Sequence, residues 1–443
     1  FEAEIDGINF KNEKVFTLLG KNKWKTELTD DEIKNKKINY VEEIFDEETN
    51  TTKDECKELK ITVKNGYGSF NVPDEWEYYV INILESPSFD KSLEKLNKRK
   101  IKKFEDSGVI VKSISNTDDL LKEIKIYESK TTADYHPFSK KMIRDVVHPS
   151  LYPYIDKVSK LKNKINQEKE TKKDFWNRPY EKSKFQWLPS EFLIENGKCK
   201  IDSYINNLPV SEINIYNCIQ KLFNSLIPEF EKMWAYIKNM KLYNEDDSVD
   251  DLNVGNSTKK VSIKPFKNLQ VIVKIVTISV KDKLEGAWHV EGMSHENIVM
   301  TAVAVLEQEG VDATLSFKRR FTENEAYYLY WNLPQDRPSY VNNFINEGLL
   351  PLGKLSTQAG KAILFPNSHV HKLDLESNGE NTRRIVVFWV VNPDKRIVST
   401  KDVDVQQKII NKSSAKKYRL ELMNERKYHK QNFNVREINL CEH

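Results

Sequence analysis

Histidine and cysteine are both scarce in this 443-residue sequence, with 8 and 4 copies. Cys56, Cys199, Cys218 and Cys441 lie far apart without a CxxC pair, which argues against a structural zinc site or a disulfide framework and fits a reducing compartment. Charge of one sign is also lacking. Lys+Arg number 70 against 67 Asp+Glu, a net +3, so there is no strong field of the kind an obligate nucleic-acid binder carries. No long uncharged apolar run and no N-terminal apolar segment occurs, so neither a membrane span nor a secretion signal is read. The expected location is cytoplasmic, with the nucleus as the alternative; the chain begins at Phe1 rather than Met, which leaves a preceding leader open. No internal repeat is visible, which excludes a solenoid.

What is present is ordinary for a folded protein: 39% hydrophobic and 11% aromatic residues, in a chain long enough for two structural units. The first half reads as helical, with mixed-charge runs at 31–48 and 92–104 and an amphipathic helix at 118–128. A lysine-rich stretch follows at 154–173, then a long helix at 213–241 whose Leu222, Phe223, Leu226, Ile227, Phe230 and Trp234 share one face. The polar, acidic run at 244–260 marks a hinge. Beyond it come the strand-like runs VSIKPF, LQVIVKIVTISV, ENIVMTAVAVLE, ATLSFKRRF, KAILFP, HVHKLDL and RRIVVFWVV, with a helix at 413–428. The expected class is α+β. A mainly helical region spans 1–250, a double-stranded β-helix (jelly-roll) core 261–400, and a helical tail 401–443.

Against so few histidines, their placement carries information. His289 and Glu291 stand two apart in AWHVEGM, and period-two geometry puts both on one face with Val290 turned away. In KAILFPNSHVH, His371 shares parity with Ile363, Phe365, Asn367 and His369. Two imidazoles and one carboxylate from two strands make the facial triad suited to Fe(II), leaving positions for a bidentate co-substrate and dioxygen. Zinc would accept the same ligands. Arg383, twelve residues after His371, is an arginine at the start of an apolar strand, with Arg384 on the opposite face. A buried guanidinium invites an anion, and the far carboxylate of a chelated 2-oxo acid is the matching one. Lys274 is the one charge in an otherwise apolar strand; it either points inward to that acid or snorkels at an edge.

Seven segments occur together and in order: DVVHPSLYPY (145–154), FQWLPSEF (185–192), SYINNLP (203–209), LQVIVKIVTI (269–278), WHVEGM (288–293), LSTQAGKAILFPN (355–367) followed by His371, and RRIVVFWVVNPDKRIVST (383–400). Through them almost the whole chain resembles a fungal family described only by a domain of unknown function. Its second half is similar to the 2-oxoglutarate/Fe(II) oxygenases of the cupin-like superfamily. The resemblance implies a dioxygenase with Fe(II) and 2-oxoglutarate as cofactors, metal ligands His289, Glu291 and His371, and Arg383 on the oxo acid. It supplies no substrate, which is left as a small molecule or a protein segment. The usual carboxylate ligand in the superfamily is Asp; Glu291 departs from it, so an inactive cupin-like binding scaffold is a second reading. A third is a lysine-anchored protein hydroxylase or demethylase, with Lys318 or Arg319 taking the place of Arg383.

Several residues have blander roles to fill. His369 reads as a neighbour of the triad, His295 as a hydrogen-bonding group, and His148 as a polar core residue tied to backbone. Trp176 and Trp187 read as packing residues. Lys98–Lys103 reads as a solvated helix face rather than an import signal.

Overall fold

The computed structural model describes residues 2–5, 8–10, 16–20, 23–46, 51–73, 78–81, 107–115, 117–162, 183–243, 262–323, 325 and 349–429. Two compact units divide the chain: one of residues 1–90, 244–254 and 323–349, the other of 91–243, 255–322 and 350–443. The runs at 92–104 and 244–260, Trp176 and Cys441 lie outside the described residues.

In the first unit, six strands pair in the order Thr62–Lys64, Tyr67–Asn71, Lys23–Glu27, Phe16–Gly20, Glu2–Ile5 and Tyr78–Ile81, and Ile8–Phe10, Lys37–Asp46 and Thr51–Lys60 form a second sheet. Trp24, Ile38, Tyr40, Phe70 and Val72 are its core. The mainly helical reading of 1–250 is corrected here. Among the described residues of that span, helix is confined to Asp30–Asn35, Asp118–Lys130 and Ile213–Asn239 apart from single turns, while strands recur throughout. The run at 31–48 shows why. A capping box between Thr29 and Glu32 starts a helix, which Lys36 ends in the left-handed conformation at φ 53. The chain then pairs along its full length with Thr51–Lys60, so that alternation, not charge mixture, was the governing pattern.

The second unit is built on eight strands: β1 (Asn268–Val280), β2 (Lys283–Leu284), β3 (Ile298–Gln308), β4 (Val311–Arg320), β5 (Leu349–Ser356), β6 (Lys361–Pro366), β7 (Val370–Ser377) and β8 (Asn381–Val391). β6, β3, β8 and β1 are neighbours in that order within an eight-stranded antiparallel sheet, extended by Ile110–Ser113 beyond β6 and by Ser190–Glu195 and Ile143–Val147 beyond β1. β2, β7, β4 and β5 make a four-stranded sheet. The unit is thus mostly β, a curled two-sheet sandwich, and the strand-like runs from LQVIVKIVTISV onward fall in its strands. VSIKPF is the exception, since residues 262–266 form none.

Strand parity sorts the two faces of the large sheet. Ile385, Val387, Trp389 and Val391 of β8 turn into the sandwich, together with Ile272, Val276 and Ile278 of β1, and meet Ala313, Leu315 and Phe317 of β4. Val386, Phe388 and Val390 turn outward onto helix α2 (Ile213–Asn239), whose apolar stripe reads in the sequence at helical spacing. Phe223 of α2 meets Phe388 edge-on at 5.3 Å, and Ala302, Ala304 and Ala362 keep the sheet surface low beneath the helix. Phe223→Ala should cost about 3–5 kcal/mol of unfolding free energy by transfer and cavity terms, read by urea denaturation; a loss under 1 kcal/mol would mean that the helix repacks.

Helix α1 (Asp118–Lys130) lies against the same outer face and buries Glu128. Arg384 turns outward as its parity requires and pairs with Glu128 at 3.1 Å and with Glu307. Helix α3 (Lys412–His429) lies where the C-terminal helix is read in the sequence and inserts Ala415 and Leu422 into the sandwich core. Among the described residues no helix is long and apolar enough to cross a membrane.

Candidate metal centre

His371 enters at the start of β7, opposite Phe317 of β4. The segment after β2 returns to lie beside it, and His289 and His371 exchange backbone hydrogen bonds at 3.0 and 2.9 Å. Gly286 makes this approach possible, since a Cβ there would sit 2.3 Å from the carbonyl oxygen of Leu373. The two rings then stand 4.4 Å apart, and Glu291 reaches both: its Oε1 lies 3.7 Å from His289 Nε2 and 3.5 Å from His371 Nε2.

The outer ring nitrogens fix the chemistry of the inner ones. His289 Nδ1 lies 2.9 Å from the carbonyl of Ala287, and His371 Nδ1 lies 3.1 Å from that of His369. A carbonyl only accepts, so each Nδ1 carries the proton and each Nε2 turns a lone pair toward Glu291. Burial opposes ionisation of Glu291, whereas a proton on Nε2 of His289 or His371 donates to it and charges the ring, which holds the carboxyl well below its ordinary range; a divalent cation would take that proton's place and leave the rings neutral. Two neutral imidazoles and a carboxylate, with ligand atoms all within 4.8 Å of one another, fit a divalent cation.

Asn367 braces this loop, a role its place on the histidine face hints at but does not state. Its Oδ1 accepts from the Glu291 backbone N–H at 2.9 Å, and its Nδ2 donates to the carbonyls of Glu291 at 2.8 Å and Ile298 at 3.1 Å. Asn367→Ala should weaken Mn(II) binding about ten- to a hundredfold in a calorimetric titration without unfolding the chain; unchanged affinity would reduce Asn367 to a packing residue.

The loop is fixed again at Glu296, fully buried, which sequence reading missed for want of any local pattern. Its carboxylate accepts from Trp187 N at 2.6 Å, Met293 N at 2.8 Å and Arg426 Nη2 at 2.6 Å. Gly292, at φ +68, makes room for it, because a Cβ there would stand 2.9 Å from Glu296 Oε2. Burial again opposes the charge, and Arg426 first, then His295, outweigh it, leaving this carboxyl below its ordinary range. A carboxyl depressed on folding contributes stability that is present above its unfolded value and lost as pH falls through its folded one. Unfolding free energy should therefore drop as pH falls below about 4.3, and Glu296→Gln should flatten part of that drop.

The remaining sequence candidates fall into place around this centre. Arg383 is fully buried on the interior face, and its Nε and Nη2 donate to Gln308 Oε1 at 3.0 Å and Thr357 Oγ1 at 3.2 Å. Lys318 lies on the outer face of β4, its ammonium 4.8 Å over the Trp288 ring, whereas Arg319 turns inward and is buried. Lys274 shares the interior parity of Ile272 and Val276, 5.8 Å over the Trp389 ring. His369 is not a member of the ligand group; its Nε2 donates to Ser107 O at 2.7 Å, and burial lowers its pKa to about 3, so it is neutral. His295 bonds the Phe185 carbonyl at 2.9 Å. Trp187 is buried and stacks on Trp389 at 5.0 Å.

A second buried group, His136, Asp145 and His148, has ligand atoms equally close. Its chemistry is less suited to a cation. Ser150 N donates to His148 Nδ1 at 3.1 Å, which leaves that ring's proton on Nε2. Asp145 already faces His136 Nδ1 at 2.9 Å and the Arg419 guanidinium at 3.2 Å. We read it as a charge-paired network joining α3 to the Ile143–Val147 strand, consistent with His148 as a core residue.

Fold and centre together define a β-sandwich protein with a buried group of two histidines and one glutamate that could hold a metal ion. The chain belongs to the family described as "Protein of unknown function (DUF4246)", whose model matches residues 94–260 and 243–414. No protein with a curated description matches. Among solved structures, it is similar to a 2OG-Fe(II) oxygenase family oxidoreductase from Burkholderia pseudomallei, at 10% identity over 67% of this chain and 92% of that one, with a TM-score of 0.28. It is also similar to AviO1 from Streptomyces viridochromogenes Tue57, at 14% identity over 29% of this chain and 54% of that one, TM-score 0.18. A third is an N-substituted L-amino acid dioxygenase in complex with alpha-KG from Burkholderia ambifaria AMMD, at 9% identity over 41% of this chain and 66% of that one, TM-score 0.15.

Proposed function

We propose that this protein is a non-haem Fe(II) oxygenase that uses 2-oxoglutarate to hydroxylate or otherwise oxidise a further substrate. The observation that carries the reading is the convergence of His289 Nε2, His371 Nε2 and Glu291 Oε1, with both Nδ1 atoms committed to backbone carbonyls. The strand order supports it: successive strands β1 to β4 alternate between the two sheets, as do β5 to β8, an order compatible with a jelly roll. Iron held by these three residues would supply the dioxygen chemistry, with open positions for an oxo acid.

The protein's own part is orientation and exclusion of water. The two backbone bonds between His289 and His371 set the ring spacing, and Asn367 sets the carboxylate. Phe365 packs on the His371 ring at 4.7 Å and Phe317 at 6.4 Å, which walls the ligands on the interior side with apolar surface. Arg383 is the sequence's choice for the far carboxylate of the oxo acid, and its buried place on the interior face is compatible with that role. Reconstitution with Fe(II) under anaerobic conditions should give one iron per chain. Admission of air with 2-oxoglutarate should then give succinate, even if slowly, without a second substrate. Metal binding with no succinate under any condition would favour the binding-scaffold reading.

A further inference from the structure

The second unit holds a cavity of about 290 Å³, none of whose lining residues belongs to the triad. That volume is close to the lower end of the range for small-molecule sites. Its walls come from the C-terminal end of α1, the Ile143–Val147 strand, the loops at 151–152 and 207–209, and the start of α3. The two loops are tied together, since Asn206 Nδ2 donates to the carbonyl of Leu151 at 3.1 Å. Tyr152 and Asn207, both on the wall, stand in the left-handed region at φ 63. That backbone is costly for a side chain as bulky as tyrosine, and such strain gathers at binding sites.

The wall carries polar groups of both kinds that have no partner among the described residues. Tyr152 is only 8% exposed, yet neither its phenol nor that of Tyr127 makes a hydrogen bond there. Arg144 commits Nη2 to the carbonyls of Glu128 at 2.6 Å and Thr131 at 3.2 Å, which leaves Nη1 unbonded. Lys412 adds an ammonium without an ion-pair partner in the first turn of α3, the positive end of that helix. Beside these donors are two buried acceptors, Gln407 Oε1 and Asp145 Oδ1, each without a donor. The other oxygen of Asp145 serves His136 and Arg419, and Asp134 is taken up by Arg419 and Lys416. Buried polar atoms left bare are rare, because each forfeits its hydration.

We infer that this cavity binds a free amino acid, its carboxylate received by Arg144, Lys412 and the two phenols and its ammonium by Asp145 and Gln407. A zwitterion answers the donors with an anion and the buried acceptors with a cation, and it brings no net charge into the wall. A dicarboxylate would set a like charge against Asp145, and a diamine would set one against Arg144 and Lys412. The site stands apart from the oxygenase reading and does not depend on it.

The test is calorimetric titration of the metal-free full chain with each of the common L-amino acids. At least one should bind, one molecule per chain. Its amine analogue without the carboxylate, and its 2-hydroxy acid analogue without the ammonium, should each bind at least about tenfold more weakly. Gln407→Leu removes an acceptor that is bare in the empty protein. It should therefore keep or raise the thermal midpoint while weakening the amino acid about tenfold. Tyr152→Phe should weaken it about threefold to tenfold, and His371→Ala should bind it as wild type does. The site is refuted if no amino acid binds, or if both cavity variants bind as wild type does while His371→Ala loses the ligand, which would place it at the triad. Equal affinity for the amino acid and either analogue would overturn the zwitterion assignment.

Discussion

His371→Ala is expected to abolish stoichiometric metal binding, lowering Mn(II) affinity by more than about a hundredfold, beyond what loss of an outer partner does. The substitution is clean because His371 holds His289 through backbone atoms, which alanine keeps. What is lost is one of two lone pairs aimed at Glu291, whose Oε1 then faces His289 Nε2 alone at 3.7 Å. Electron paramagnetic resonance of added Mn(II) separates free from bound ion directly. A variant that still binds one ion per chain would show that the ion sits elsewhere, and the group at His136, Asp145 and His148 would then be the first place to look.

Arg426→Met should cost about 3–5 kcal/mol, the usual penalty for stranding one member of a buried ion pair. Glu296 has no exposed surface, and Arg426 is its only ion-pair partner among the described residues. Since a domain holds only about 5–15 kcal/mol in total, the variant should unfold well below the wild-type urea midpoint. Adding Glu296→Gln should recover part of the loss, because the stranded charge is gone. A single variant within 1 kcal/mol of wild type would mean that water reaches Glu296 and that the pair does not hold the metal loop. The effect should also reach the metal site, because Glu296 bonds Met293 N two residues from Glu291.

Much of the site was legible from spacing. His371 on a strand end and Arg383 turned opposite to Arg384 follow from a period of two; His289 and Glu291 lie outside the strands, in the segment between β2 and β3, where the isolated bridge from His289 to His371 brings them in. The long helix at 213–241 was equally legible, since its apolar stripe repeats at 3.6 and spans many turns. The strands of the first unit were not. Lys37–Asp46 and Thr51–Lys60 carry charges on both faces, so composition resembled an exposed helix until pairing imposed the alternation.

What the sequence determined by itself, then, is which side chains to look at as candidate ligands, because histidine is scarce and the structure gathers His289, Glu291 and His371 into one group. What only the tertiary structure decided are the groups whose partners are distant in the chain. Arg426 and Glu296 are 130 residues apart, and Asn367 and Glu291 are 76 apart. Lys274 could be read as inward or snorkelling until β8 supplied the Trp389 ring beneath it. No local pattern encodes such meetings. They arise when strands far apart in sequence are packed face to face, and burial then makes each unpaired polar group costly enough to require a partner.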